Sequence, residues 1–381
     1  MFLMNSQNKK IKVAFVIGNF SIGGAERLVI DQINGIDKEI FEPFLVTLLP
    51  KPANVIGGLI DLSESKIAQF EFQSFYDWCS WLRLIKFMRR QRFDIVYTHL
   101  FFANLVARAA AIMARIPVII SVEHNIYRGK KPIYILADRI LAKFTDKIIT
   151  VSHSVKEFTI KQERIESDKF DVIYNGVDIS PVKFDKDAKR KELGIDAENL
   201  VVASVGRISE QKGFIFLVRA AKELIPRFTH AKFLIIGPVE EKATFKMLQD
   251  EIGQDLSDRI ILLGPRHDIK EILAASDIFV LPSLWEGFGI SALEAMAAGL
   301  PIIASNIDGL KEFIKNNENG ILVSKGDTEA LIRAISRLAA DSDLRIRLAS
   351  SARQTAQKFS INENIRQLET LFLNLFDEKS A

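Results

Sequence analysis

Cysteine is almost missing from this chain: among 381 residues only Cys79 carries a thiol. An intramolecular disulfide is therefore excluded, and the composition fits a reducing compartment. Long hydrophobic runs are missing as well. The most apolar stretch, near residues 105–122, is broken by Arg108, Arg115 and Pro117, so no membrane span is expected. The amino terminus, MFLMNSQNKKIK, has no long apolar core and no small-residue cleavage site, and no secretory signal is read in it. Short-period repeats and low-complexity segments are absent. So is a strong excess of one charge, since 51 basic residues face 48 acidic ones for a net charge of +3. No nucleic-acid partner is expected. Gly18 and Gly23-Gly24 do not make a G-x-G-x-x-G dinucleotide fingerprint. No cluster of His and Cys ligands is seen, so no metal and no other cofactor is expected.

What is present is a 48% hydrophobic, 26% charged globular chain, long enough for two domains of roughly 150–200 residues. Strand-like runs alternate with helical segments almost throughout. KVAFVIG (12–18), FLVTLL (44–49), DIVYTH (94–99), PVIISVEH (117–124), DKIITVS (146–152) and FDVIYNG (170–176) form one series. A charged connector, SPVKFDKDAKRKELGID, precedes a second series that starts at LVVASVG (200–206) and ends at GILV (320–323). Continuous β-branched runs suit strands buried on both faces. The expectation is an α/β protein of two doubly wound, Rossmann-like domains, residues 1–178 and 179–359. A final helix, 360–381, carries leucines at 368, 371, 373 and 375 and needs a surface to dock on.

Parallel sheets bind ligands at the carboxyl ends of their strands, and two such domains can turn those ends toward one cleft. Gly23-Gly24, His99 and His124 fall at strand ends in the first half; Arg207, Lys212 and Glu286 do so in the second. Each has an ordinary structural alternative. The glycines could form a tight βα turn, His124 could be a core histidine, and Lys212 could be a solvated lysine opening a helix. Cys79 is read as packing. PSLWEGFGISALEAMAAGLP (282–301) is more telling: a helix read as starting at Phe288 is apolar all round, which marks a buried helix. A carboxylate inside it, Glu294, is costly without a specific partner. Ser291-x-x-Glu294 also matches a capping box.

SIGGAER (21–27), VEHN (122–125), YNGVD (174–178), GRISEQKG (206–213) and WEGFGISALEAMAAGLP (285–301) together resemble glycosyltransferase family 4, with its two-domain GT-B fold. The likeness spans most of the chain, and the Glu286-x7-Glu294 spacing is its most specific part. It implies a retaining transferase whose carboxy-terminal domain holds a nucleotide-sugar and whose amino-terminal domain holds the acceptor. The last helix would cross back to the first domain. Phe288, Gly289 and Ile290 would offer backbone N–H groups to a diphosphate, with Gly287 and Gly289 letting the backbone approach. Arg207 and Lys212 would neutralise the departing diphosphate. By resemblance, Glu294 bonds the ribose, Glu286 orients the sugar, His124 approaches the sugar and Gly24 lies near the donor.

The implied donor is a UDP-sugar, and the implied acceptor a lipid-linked or polysaccharide chain of a bacterial cell surface. A soluble small acceptor, or a non-catalytic nucleotide-sugar module, are the alternatives. His99, Gly23, Lys130 and Lys131 are placed on the acceptor side. Between Arg83 and Lys143 twelve basic residues face three acidic ones. On helix 77–92, Trp78, Trp81, Leu82, Ile85 and Met88 share a face beside Arg83, Lys86 and Arg90; packing of that face on the sheet is the plainer reading. With Lys130 and Lys131 in the loop YRGKKPIY, this charge suggests an anionic membrane partner. The expected location is cytoplasmic, at the inner face of the cell membrane.

Overall fold

A computed structural model describes residues 10–19, 23–50 and 59–380. The chain divides into two compact units. One comprises Met1–Tyr174 with Asn364–Ala381, the other Asn175–Glu363.

The first unit contains β1 (Ile11–Ile17), α1 (Gly24–Gly35), β2 (Phe41–Thr47), β3 (Ile67–Gln69), α2 (Trp78–Gln91) and β4 (Ile95–His99). α3 (Phe101–Ala114), β5 (Val118–Glu123), α4 (Pro132–Ala142), β6 (Lys147–Thr150), α5 (His153–Glu163) and β7 (Phe170–Val172) follow. Its strands pair in parallel in the order β3-β2-β1-β4-β5-β6-β7. β1, β4 and β5 are buried on both faces, as their unbroken Val/Ile/Phe runs require. β3 was not foreseen. It is a three-residue edge strand with no fully buried side chain, so it leaves no apolar run to read.

The second unit contains α6 (Lys186–Glu192), β8 (Leu200–Val205), α7 (Phe214–Leu224), β9 (Ala231–Ile236), α8 (Lys242–Ile252), β10 (Ile260–Gly264) and α9 (Ile269–Ala275). β11 (Ile278–Leu281), α10 (Ile290–Ala297), β12 (Ile302–Ser305), α11 (Asp308–Lys311), β13 (Ile321–Val323), α12 (Thr328–Ala340) and α13 (Ser342–Gln357) complete it. Its parallel sheet runs β10-β9-β8-β11-β12-β13. Two Asp-x-Asp tripeptides in this unit serve as helix starts. Asp185 accepts from the amides of Asp187 and Ala188, and Asp341 accepts from Leu344.

α14 (Ile361–Ser380) belongs to the first unit from Asn364 onward. Phe372 is fully buried and meets Phe15, Phe41 and Tyr97 with ring centroids 6.4, 6.0 and 5.2 Å away. Asn364 accepts from Gln32 at 2.9 Å and donates to the Tyr174 carbonyl at 2.7 Å. Strand order reverses between β1 and β4 in one sheet and between β8 and β11 in the other. Those switch points are where a doubly wound sheet leaves a crevice at its carboxyl edge.

Candidate active site

The second unit's switch point gathers most of the sequence-predicted residues. Gly206 and Arg207 follow β8, a 3-10 turn spans Glu210–Lys212, and Ser283 and Glu286 follow β11. Lys212 Nζ lies 2.6 Å from Glu286 Oε1, and Ser283 Oγ donates to the same oxygen at 2.7 Å. The two charged side chains are only 12% and 6% exposed, so the pair is shielded from water on most sides. Gly206 makes room for it: a Cβ there would stand 2.9 Å from Lys212 Cε. The two loops are also stitched together. Gln211 donates to the Trp285 carbonyl at 3.0 Å, and the Leu284 amide donates to the Gln211 carbonyl at 2.8 Å. Gly213 adopts a left-handed φ of +61°, with the Pro282 carbonyl 2.2 Å from where a Cβ would sit. Only glycine fits there.

Lys212 therefore precedes α7 instead of opening it, and an internal carboxylate already answers its charge. Arg207 differs. It is 43% exposed and pairs with Glu240 at the surface.

Two expectations about α10 need correction. The helix begins at Ile290, with Gly289 as its N-cap at φ +91°, so Phe288 stands outside it. The Phe288 ring is buried against Phe313 and Phe359, at 5.0 and 5.6 Å. The helix is also not buried all round. Ala292, Leu293, Ala295 and Met296 form the covered face, while Ile290 and Glu294, one turn apart, lie on a half-open one. Glu294 is thus a reachable carboxylate, not an entombed one. The capping box is not made: Ser291 sits inside the first turn and its hydroxyl has no partner. Gly287 lies in the loop ahead of this turn, and its carbonyl comes within 2.9 Å of a Cβ on Gly309.

In the first unit, His99 ends β4 and His124 follows β5. Their rings meet through Nδ1 of His99 and Nε2 of His124 at 3.0 Å. Burial holds both imidazoles below their ordinary range, His124 at about 4; the neighbouring His124 lowers His99 further. Both rings are neutral at pH 7 and share one N–H. His99 Nε2 and His124 Nδ1 have no partner. The pair thus keeps one unused donor and one unused acceptor. Gly23, the extended N-cap of α1, packs against the Glu26 carboxylate, and Gly24 is exposed at the first turn. Ser21 and Ile22 of the SIGGAER stretch lie outside the described residues.

Lys130 is a correction. Its side chain is 2% exposed, with Nζ 2.5 Å from Asp138 and also paired with Glu163. Arg108 donates to Asp138 at 2.9 Å and to Thr145 at 3.1 Å. Glu123 lies beside this cluster, accepting from Asn104 at 3.0 Å. Burial pushes Glu123 up to about 8 despite the Lys130 ammonium. Burial also pulls Lys130 down, but Glu123, Asp138 and Glu163 outweigh it and hold the ammonium above its usual range. Lys130 is therefore structural, and only Lys131 of the pair is exposed. The signal was in the sequence. α3 and α4 are largely apolar helices carrying Arg108 and Asp138, and buried charges there call for each other. Cys79 is exposed, not packed, because the first turn of α2 projects it to solvent. On α2, Leu84, Ile85 and Met88 are buried, while Trp78 and Leu82 face outward.

Residues 22–181 match the family described as Glycosyltransferase Family 4, and residues 185–355 match Glycosyl transferases group 1. Over 394 residues the chain is 30% identical to the UDP-Gal:alpha-D-GlcNAc-diphosphoundecaprenol alpha-1,3-galactosyltransferase of Escherichia coli, covering 99% of this chain and 100% of that one. It is 25% identical to the N-acetyl-alpha-D-glucosaminyl L-malate synthase of Bacillus anthracis, covering 89% and 90%. Among solved structures it is similar to Anabaena Alr3699/HepE in complex with UDP and glucose, with a TM-score of 0.84, 25% identity, and 95% and 99% of the two chains covered. Two parallel sheets, each with its own helices, are the α/β fold of GT-B enzymes. The chain belongs to glycosyltransferase family 4, the group 1 glycosyltransferases, and is a glycosyltransferase.

Proposed function

We propose that this enzyme moves a hexosyl or N-acetylhexosaminyl group from a UDP-sugar to a lipid-linked or polysaccharide acceptor in bacterial cell-surface glycan synthesis, with retention at the anomeric carbon. The shielded Lys212–Glu286–Ser283 cluster at the β8/β11 switch point carries this reading. End-to-end similarity to an enzyme of a diphosphoundecaprenol-linked acceptor supports the choice of acceptor. The donor's diphosphate would meet Lys212, Arg207 and the first amides of α10, where helix geometry leaves N–H groups to spare. Glu294 on the half-open face would take the ribose hydroxyls, Glu286 would orient the sugar, and Gly24 would lie against the donor. In the reaction, the bond from the anomeric carbon to the β-phosphate oxygen breaks with its electron pair leaving on UDP. The acceptor oxygen attacks from the same face, and its proton passes to the departing phosphate oxygen. Neutral His124 would hydrogen-bond the transferred sugar, with His99 fixing its ring. Two cations meet the leaving charge, so the reading needs no metal, and turnover should persist in a chelator.

Among the described residues no helix is long and apolar enough to cross a membrane. We place the enzyme in the cytoplasm, held peripherally at the inner face of the cell membrane. A soluble small acceptor is the second reading, favoured by the likeness to the malate-linked synthase. A thermal-shift panel of UDP-, GDP- and ADP-sugars tests the donor. Ligand at a hundred times its dissociation constant stabilises by about 2.7 kcal/mol, and the shift is expected with UDP-sugars. If no nucleotide moves the transition, the donor assignment fails. Transfer to L-malate or inositol phosphate, with none to a polyprenyl-diphosphate-linked sugar, would select the second reading.

A further inference from the structure

The segment between His124 and α4 is pinned at two points. Residues 125–129 lead away from the carboxyl end of β5, and the Lys130 amide closes a turn 3.4 Å from the Tyr127 carbonyl. That same carbonyl accepts from Gln162 Nε2 of α5 at 2.9 Å. At the far end of the turn, the Lys130 ammonium sinks between Asp138 of α4 and Glu163 of α5, 5.8 Å from the centre of the Phe101 ring. Gln162 and Glu163 are neighbours, so the last turn of α5 holds both ends of the loop's turn. α5 is itself tied to α4, since Arg139 Nε donates to the Glu163 carbonyl at 2.7 Å. On the other side of His124, Asn104 holds the end of β5, donating to the Val122 carbonyl at 2.9 Å and to Glu123 at 3.0 Å.

This arrangement does more than hold the fold. Packed apolar side chains in place of buried ions are often as stable or more so; what ions with directed hydrogen bonds add is a single permitted position. Here that position belongs to the backbone of residues 125–129. They leave the histidine pair at the sheet's carboxyl edge, where a doubly wound sheet receives its ligand. The Tyr127 ring also meets Phe101 at 6.2 Å, two residues beyond His99. We propose that Gln162 and Lys130 are positioning residues of the transfer reaction, holding residues 125–129 in the one shape that receives the acceptor beside His124. The proposal rests on the reading that the first unit holds the acceptor. Both side chains act through the backbone that they fix.

Gln162 gives the sharper test, because its hydrogen bond is only partly buried whereas Lys130 is bound into the core. Steady-state kinetics of the full-length enzyme would use UDP-galactose and a short-chain polyprenyl-diphosphate-linked N-acetylglucosamine as donor and acceptor. Gln162→Met keeps the length of the side chain and loses its N–H. It should raise the acceptor KM about tenfold or more, with kcat, donor KM and melting temperature close to those of wild type. Gln162→Lys, which restores an N–H donor, should recover the acceptor KM. A purely structural role would instead lower melting temperature and kcat together and leave the acceptor KM in place. That pattern would overturn the proposal, as would a wild-type acceptor KM in Gln162→Met or a rise confined to the donor KM. If wild type glycosylates L-malate and not the lipid-linked sugar, the lipid-linked acceptor reading fails, and the same KM comparison made with L-malate decides the positioning role.

Discussion

Lys212 and Arg207 were expected to act alike, and their surroundings separate them. Arg207 is part-exposed beside Glu240, whereas Lys212 shares a shielded oxygen with Ser283. Either residue changed to alanine should cut turnover by about 10²–10³, the scale for losing one electrostatic stabiliser. Only Lys212→Ala should also lower the melting temperature, because it leaves Glu286 charged and nearly buried without its counter-ion. Adding Glu286→Gln to Lys212→Met should recover melting temperature but not turnover. Wild-type turnover in both single variants would put the diphosphate elsewhere.

Glu123 sets a pH dependence at the same scale. Its folded value of about 8 lies above its ordinary one near 4.5, so the native protein holds a proton there that the unfolded chain has lost. Stability from this group is full below about 4.5 and falls as pH rises toward 8. Glu123→Gln, which mimics the protonated acid, should flatten that decline between pH 5 and 8. Melting curves across this range check it; an unchanged slope would mean the carboxylate is already ionised at neutral pH. The buried histidines act in the opposite sense. Both values are lowered and cost stability as pH falls, for His124 from about 6.5 toward 4.

At the scale of elements, the βα alternation was legible because strands buried on both faces must be continuous apolar runs. β1, β4, β5, β8 and β11 lie close to where those runs stand. β3, with no such run, was invisible. The start of α10 was misplaced because Gly289 takes a left-handed turn, which periodicity does not report. The pairing of His99 with His124 and of Lys212 with Glu286 joins residues from separate strand ends, so only topology could supply it. Lys130 shows the reverse error: a basic loop reads as solvated unless its buried acids are known. Lys130→Met should cost about 3–5 kcal/mol, the range for breaking a buried pair. Urea denaturation measures it, and a loss below 1 kcal/mol would mean that Asp138 and Glu163 simply take up protons.

For the whole molecule, the two units differ in how the chain supplies them. The second is continuous from Asn175 to Glu363 and has its own core around Phe214, Phe233 and Leu217. The fragment 175–363 should therefore fold alone, melt cooperatively and be stabilised by UDP. The fragment 1–174 should not, since it lacks α14. Calorimetry of both fragments, with and without UDP, checks this. A cooperative transition in 1–174 alone would show that Phe372 and its neighbours are dispensable.

The seat of Phe372 has a consequence in time. A ribosome delivers Phe15, Phe41 and Tyr97 early, yet the helix that covers them emerges only after the entire second unit. At 5–20 residues per second, the delay is on the order of 10–40 s. Throughout it the nascent first unit carries an uncovered aromatic trough while the second unit can already close. Chaperone occupancy on the stalled chain should therefore peak before Asn364 leaves the exit tunnel and fall once α14 has docked.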